Sequence, residues 1–192
     1  MKRVVRTVFL LLLVVPSIGR SQLSHLSLTA FLSHDTYHTL GFVSGIDVGA
    51  SVGYHLDSMS QVSTTLVYAK RSTPFDLIGE TRSLDARLFM LACAVEYTVL
   101  GHQDGPSLSA SIGGGTIIST ADAFTISLGA AGIATIPARR SASGFLQTGI
   151  RLEIPFSLRF GAVVQPLFRL STPVSSATGD VSIAGGLRVS LL

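Results

Sequence analysis

Residues 45–56 read Gly45-Ile46-Asp47-Val48-Gly49-Ala50-Ser51-Val52-Gly53-Tyr54-His55-Leu56. Every even position is apolar and every odd one is small or polar. A period of two belongs to an extended strand, whose successive side chains point to opposite faces. One face of this strand is oily. The other is made of glycine, serine, aspartate and histidine.

The alternation recurs along the chain. Leu26, Leu28, Ala30 and Leu32 stand against Ser27, Thr29 and Phe31, and Val62, Thr64, Leu66 and Tyr68 against Gln61, Ser63 and Thr65. A fourth strand, roughly 84–99, is apolar on both faces. The register with Leu91, Cys93, Val95, Tyr97 and Val99 outward is preferred because it turns Glu96 inward. Leu108, Ala110 and Ile112 alternate with serines, and Leu146, Thr148, Ile150, Leu152 and Ile154 with Gln147, Gly149, Arg151 and Glu153. Leu158, Phe160, Ala162, Val164 and Phe168 alternate with Ser157, Arg159, Gly161, Gln165 and Arg169. There Pro166 falls on the outward register without an N–H, which predicts a bulge or an imperfect ladder. Ile183, Leu187, Val189 and Leu191 close the series.

Between the strands, short connections (57–60, 101–105, 155–156) alternate with long ones (34–42, 71–83, 116–143, 172–180). Within the longest, Phe124 to Ile136 reads as either a hairpin or a short helix. Eight strands with this alternation predict an all-β, antiparallel, up-and-down transmembrane β-barrel. Runs of about 9–14 residues suit tilted strands crossing about 25–30 Å of hydrocarbon. A soluble β-sandwich has no reason to alternate its loop lengths.

Residues 1–21 have the layout of a secretory signal peptide. Lys2, Arg3 and Arg6 are followed by the apolar run Val8 to Val15, and Gly19 and Ser21 are small residues before a cut at Gln22. A cut after Gly19 fits nearly as well. The alternative is an uncleaved anchor, but the eight apolar residues are fewer than the about 20 that a spanning helix needs. The chain then divides into a signal over 1–21 and one barrel domain over 22–192.

The whole sequence has 14 Lys+Arg against 11 Asp+Glu. Four of the basic residues, Lys2, Arg3, Arg6 and Arg20, lie before the cut, which leaves 10 against 11. The basic balance thus belongs to the signal, and no electrostatic case for nucleic acid remains. Charged residues make up 13% of the sequence, against about 25% in soluble domains. One cysteine, Cys93, excludes an intramolecular disulfide and reads as a small apolar residue on a strand.

In this layout, and in stretches such as Phe145 to Glu153 and Gly185 to Leu192, the chain resembles the small bacterial outer-membrane β-barrels, the eight-stranded OmpA- and OmpX-like group. The resemblance covers nearly all of 24–192. It implies a monomer in the outer membrane of a Gram-negative-type bacterium, in contact with outer-membrane lipid. It also implies periplasmic chaperones and a barrel-assembly machinery as assembly partners. Members of that group usually end on an aromatic residue in the outward register, whereas here that register ends at Leu191. Trp is absent, so the interfacial aromatic girdles are thin. Tyr54 and Tyr97 are expected at the periplasmic edge, with Phe31, Tyr68 and Phe168 at the outer one.

If the registers hold, Asp47, Glu96, Arg151, Glu153, Arg159, Arg169 and Arg188 point into the barrel. An eight-stranded barrel is just wide enough for side chains to fill it, and charges confined there must pair. They form either a structural ion-pair plug or a narrow polar conduit or ligand site. His34 and His38 flank Asp35 at a spacing that binds metal on a helix, but this segment reads as a solvated loop. No cofactor, metal site or catalytic set is legible. Three functions remain. The preferred one is a non-enzymatic surface barrel acting in adhesion or envelope integrity through its loops. The others are a soluble secreted β-sandwich or lipid-binding barrel, and an outer-membrane lipid-modifying enzyme.

Overall fold

A computed structural model of the chain describes residues 25–36, 44–77, 80–101, 105–127, 132–172 and 178–191. The segment 1–21, expected to be an export signal, His38 and Leu192 lie outside these residues. Among the described residues ten strands follow one another: β1 (Leu26–Asp35), β2 (Gly45–His55), β3 (Ser60–Leu77), β4 (Glu80–Gly101), β5 (Ser107–Ala121), β6 (Phe124–Ser127), β7 (Ile133–Ile136), β8 (Arg139–Pro155), β9 (Phe160–Thr172) and β10 (Thr178–Leu191). Eight of them close a barrel in the order β1-β10-β9-β8-β5-β4-β3-β2, and β6 and β7 pair only with each other. Every pairing is antiparallel. Closure comes from β1, which pairs Leu26 with both Tyr54 and Leu191. The barrel therefore presents no unpaired edge.

The two faces follow the alternation. On β2, Asp47, Gly49 and Gly53 are buried while Ile46, Val48 and Val52 are exposed. On β4, Glu96 is buried and Leu91, Val95, Tyr97 and Val99 are exposed. Ile46 and Ile112 are each 70% exposed and Leu146 67%. A wall of large apolar side chains this open is far beyond what a water-soluble monomer leaves uncovered. Among the described residues no helix is long and apolar enough to cross a membrane. A strand crossing needs none.

The strands run further than the alternation predicts. The segment 71–83, expected as a loop, is mostly the paired tips of β3 and β4, which reach 18 and 22 residues. The segment 116–143, expected mainly as a loop, holds the end of β5, the β6–β7 hairpin and the start of β8. Backbone pairing needs no oily face, so a ladder continues after its outward residues turn polar. At the opposite end the reversals are short. At residues 56–59 Asp57 accepts hydrogen bonds from the N–H groups of Met59 and Ser60, both at 2.7 Å. Those two donors hold its carboxyl below the usual carboxylate range.

Three details depart from or refine the sequence expectations. The reversal after β8 occupies 156–159, not 155–156, and Ser157 Oγ accepts from the N–H groups of Arg159 and Phe160. Arg159 is consequently on an exposed turn and not in the interior. Phe31 faces inward and not toward an outer girdle. It stands opposite Gly49 on one side and Gly186 on the other, and a methyl group at either glycine would collide with it. The β8–β9 ladder is interrupted between Gly149–Leu167 and Leu152–Val164, beside Pro166.

Candidate functional site in the barrel interior

The inward positions sort into layers along the barrel axis. Near the short-turn end lie Glu96 from β4, Arg151 and Glu153 from β8, and Arg188 from β10. Arg151 bridges the two glutamates, donating from Nη1 to Glu96 Oε2 and from Nη2 to Glu153 Oε2, both at 3.3 Å. Arg188 Nη1 reaches Glu153 Oε1 at 2.7 Å. Ser63 Oγ donates to Glu96 Oε1 at 2.7 Å, and Arg151 Nη2 donates to Thr29 Oγ1 at 3.4 Å. The result is an alternating chain Glu96–Arg151–Glu153–Arg188 with no net charge. It ties β4 to β8 and β10, and all four members are buried.

Above it lies a layer of small and apolar groups around Phe31. Phe31 packs against an apolar cluster of Val67, Ala69, Leu88, Met90, Ala92, Ile117 and Phe145, carried by β3, β4, β5 and β8. Higher still, on the other side of the barrel, stand Asp35, Asp47, Arg71, Arg169 and Asp180. Arg169 Nη1 meets Asp35 Oδ1 at 2.5 Å, and Arg71 Nη2 contacts Asp47 Oδ1. Ser33 Oγ donates to Asp35 at 3.0 Å, and Arg71 also donates to the carbonyls of Gly45 and Ile46 at 3.2 and 3.3 Å. Asp180 is buried directly across the ladder from Arg169.

Of the residues expected inside, the structure brings Glu96, Arg151, Glu153 and Arg188 into one network. Asp47 and Arg169 lie in the second group, and Arg159 in neither. The alternation predicts loops at Asp35, Arg71 and Asp180, but they stand on β1, β3 and β10. The signal that finds them is one further step of an established register: Ser33 to Asp35, Ala69 to Arg71, and Ser182 back to Asp180. His34 and Asp35, adjacent in sequence, point to opposite faces, and His34 stands between Ile46 and Ile183. Among the described residues no group of three or more His, Cys, Asp or Glu is placed to hold a metal.

The cavities among the described residues of these layers are small. A cavity of about 40 Å3 opens at the short-turn end among His55, Gln61, Glu96, Arg151, Glu153 and Arg188. It has room for two or three waters. Another, about 20 Å3, lies beside Phe31, Gln147 and Arg169. Chemically, the interior offers paired charges that neutralise one another and space for a few waters.

No protein-family model and no curated protein sequence matches the chain. Its fold is similar to that of OprG, an outer-membrane protein from Pseudomonas aeruginosa, with a TM-score of 0.55 at 6% identity over 85% of this chain and 93% of that one. Neisserial surface protein A matches with a TM-score of 0.54 at 16% identity, over 87% and 97%. The N-terminal β-barrel domain of Pseudomonas aeruginosa OprF matches at 0.52 and 14%, over 85% and 95%. The chain thus has the fold of the small, OmpA/OmpX-like outer-membrane barrels.

Proposed function

We propose that this chain is a non-enzymatic barrel of the outer membrane of a Gram-negative-type bacterium, exported by a cleaved signal peptide. It acts as a sealed scaffold that holds hairpins out at the surface for adhesion or envelope integrity. The observation that carries the reading is the filled interior beneath an open apolar exterior. Two sets of ion pairs and the Phe31 layer fill a barrel too narrow to hold both a packed interior and a channel. The apolar exterior needs lipid around it. The β6–β7 hairpin supports the surface role, because loops on a rigid scaffold usually carry recognition. Assembly through periplasmic chaperones and a barrel-insertion machinery belongs to the same reading.

The test joins localisation with conductance. The precursor is expressed, the outer membrane isolated, and unboiled and boiled samples compared by SDS gel electrophoresis. The protein is then placed in a planar bilayer. Membrane recovery, a mobility shift on boiling and no steady conductance are expected. Recovery as a soluble protein without a shift would replace the barrel scaffold with a secreted sandwich. Steady conductance would make the interior a conduit.

A further inference from the structure

On the barrel's outer face, four positions on consecutive strands form one cross-strand row. Lys70 on β3 stands opposite Arg87 on β4, Arg87 opposite Thr120 on β5, and Thr120 opposite Arg140 on β8. Three of the four are cations, and all three are exposed. Like charges directly opposite each other destabilise a sheet, so the row is costly in water unless an anion lies against it. Two carboxylates one row further out supply part of the compensation: Asp85 Oδ2 is 3.6 Å from Lys70 Nζ, and Asp122 Oδ2 is 3.3 Å from Arg87 Nη2. Both pairs are about half exposed or more, and such pairs hold a cation weakly. Arg140 has no ion pair among those described. Three cations therefore face two carboxylates over these rows.

The position of the row selects its ligand. The next row inward is Tyr68, Phe89, Ile118 and Ala142, with the Tyr68 and Phe89 rings 5.0 Å apart. From Phe89 to Val99, β4 turns Leu91, Cys93, Val95 and Tyr97 outward, a run of the length that crosses a hydrocarbon layer. The cations therefore begin where the apolar wall ends and point to the same side. An anion that meets them lies at the rim of the membrane, whereas a soluble polyanion would meet the hairpin tips first. On the neighbouring strand β2 the outward residue Ile46 is apolar, so the cationic row does not continue there.

Resting on the proposed membrane location, we infer that Lys70, Arg87 and Arg140 form a binding surface for a multiply phosphorylated lipid headgroup in the surface-facing leaflet. Guanidinium groups match phosphate in a two-point fashion. Cross-strand spacing of about 4.8 Å per strand spreads the row over about 14 Å, wider than one phosphate needs. Because barrel strands tilt by about 35–45°, the row is inclined to the membrane plane and meets phosphates at more than one depth.

The test uses the full chain extracted from membranes and reconstituted in phosphatidylcholine nanodiscs. One set of discs contains a phosphatidylinositol bisphosphate and another phosphatidylglycerol, and retained lipid is counted by native mass spectrometry. The chain is expected to retain the bisphosphate lipid at least about fivefold over phosphatidylcholine, with phosphatidylglycerol between. Arg140→Gln, which breaks no described ion pair, lowers that preference about threefold, and Thr120→Arg, which completes the row, raises it. Equal retention of all three lipids, or an Arg140→Gln variant that keeps the full preference, overturns the inference. So does a preference seen only with soluble polyphosphate. The mobility shift on boiling is read in parallel. Its absence in the unaltered chain counts against the barrel reading itself, whereas its presence without lipid preference counts against this surface alone.

Discussion

The two charged groups inside the barrel solve the same problem differently. Near the short turns, Glu96, Arg151, Glu153 and Arg188 form one chain in which each inner member serves two partners. Toward the long hairpins, Asp35–Arg169 and Asp47–Arg71 are ion pairs whose two carboxyls also lie against each other, and Arg71 is also held by two backbone carbonyls. Removing an inner member of the chain strands two neighbours. In the second group Arg71 keeps its two carbonyl acceptors when its carboxylate is lost, which softens the loss. The shared network should therefore be the less tolerant, although the two groups carry similar charge.

Glu153→Lys is the severest way to probe that difference. It removes the partner of both Arg151 and Arg188 and adds a third cation, at a cost of about 5 kcal/mol or more. The unboiled gel band should disappear, and urea unfolding in detergent should begin at much lower denaturant. A variant as resistant as the parent chain would show that the shared network contributes nothing. Asp47→Val should cost less, about 2 kcal/mol, since Arg71 keeps its carbonyl acceptors. Adding Arg71→Met should recover most of the loss, because replacing both partners of a buried pair by apolar groups is often neutral. If the double variant is worse than the single, the pair is not separable from its surroundings. Between the groups, Gly49→Ala pushes a methyl group against Phe31 and should lower stability by about 1–2 kcal/mol. Phe31→Leu in that background should relieve it. An unaffected unfolding midpoint would mean that the Phe31 layer is looser than its packing implies.

The shared network was legible in the sequence, and the second group only in part. Glu96, Arg151, Glu153 and Arg188 sit in the middle of clean alternation, where apolar outward neighbours mark the register. Asp35, Arg71 and Asp180 follow outward residues such as His34, Lys70 and Gly179, where the oily face has ended and periodicity gives no signal. The strands continue there because hydrogen bonding alone sustains them. Arg159 departs from its expected interior place for the converse reason. The turn at 156–159 happens to continue the alternation of β9, and Leu158, 78% exposed, imitates a strand residue. Phe31 lies on the inward face despite its size, and the facing Gly49 and Gly186 explain its fit.

The β1–β10 seam has a consequence for how the barrel forms. Every other barrel pairing joins strands that follow one another along the chain, apart from the small β6–β7 detour between β5 and β8. Those pairings are local and inexpensive in chain entropy. The seam joins residues such as Leu26 and Leu191, about as distant in sequence as the chain allows, through ten paired positions. The pairings of greatest sequence separation in the barrel lie at this one interface. Seven hairpins can zip independently of one another, but a lipid-ready cylinder exists only after the eighth pairing. Until then the edges of β1 and β10 are open to any other strand that offers a ladder.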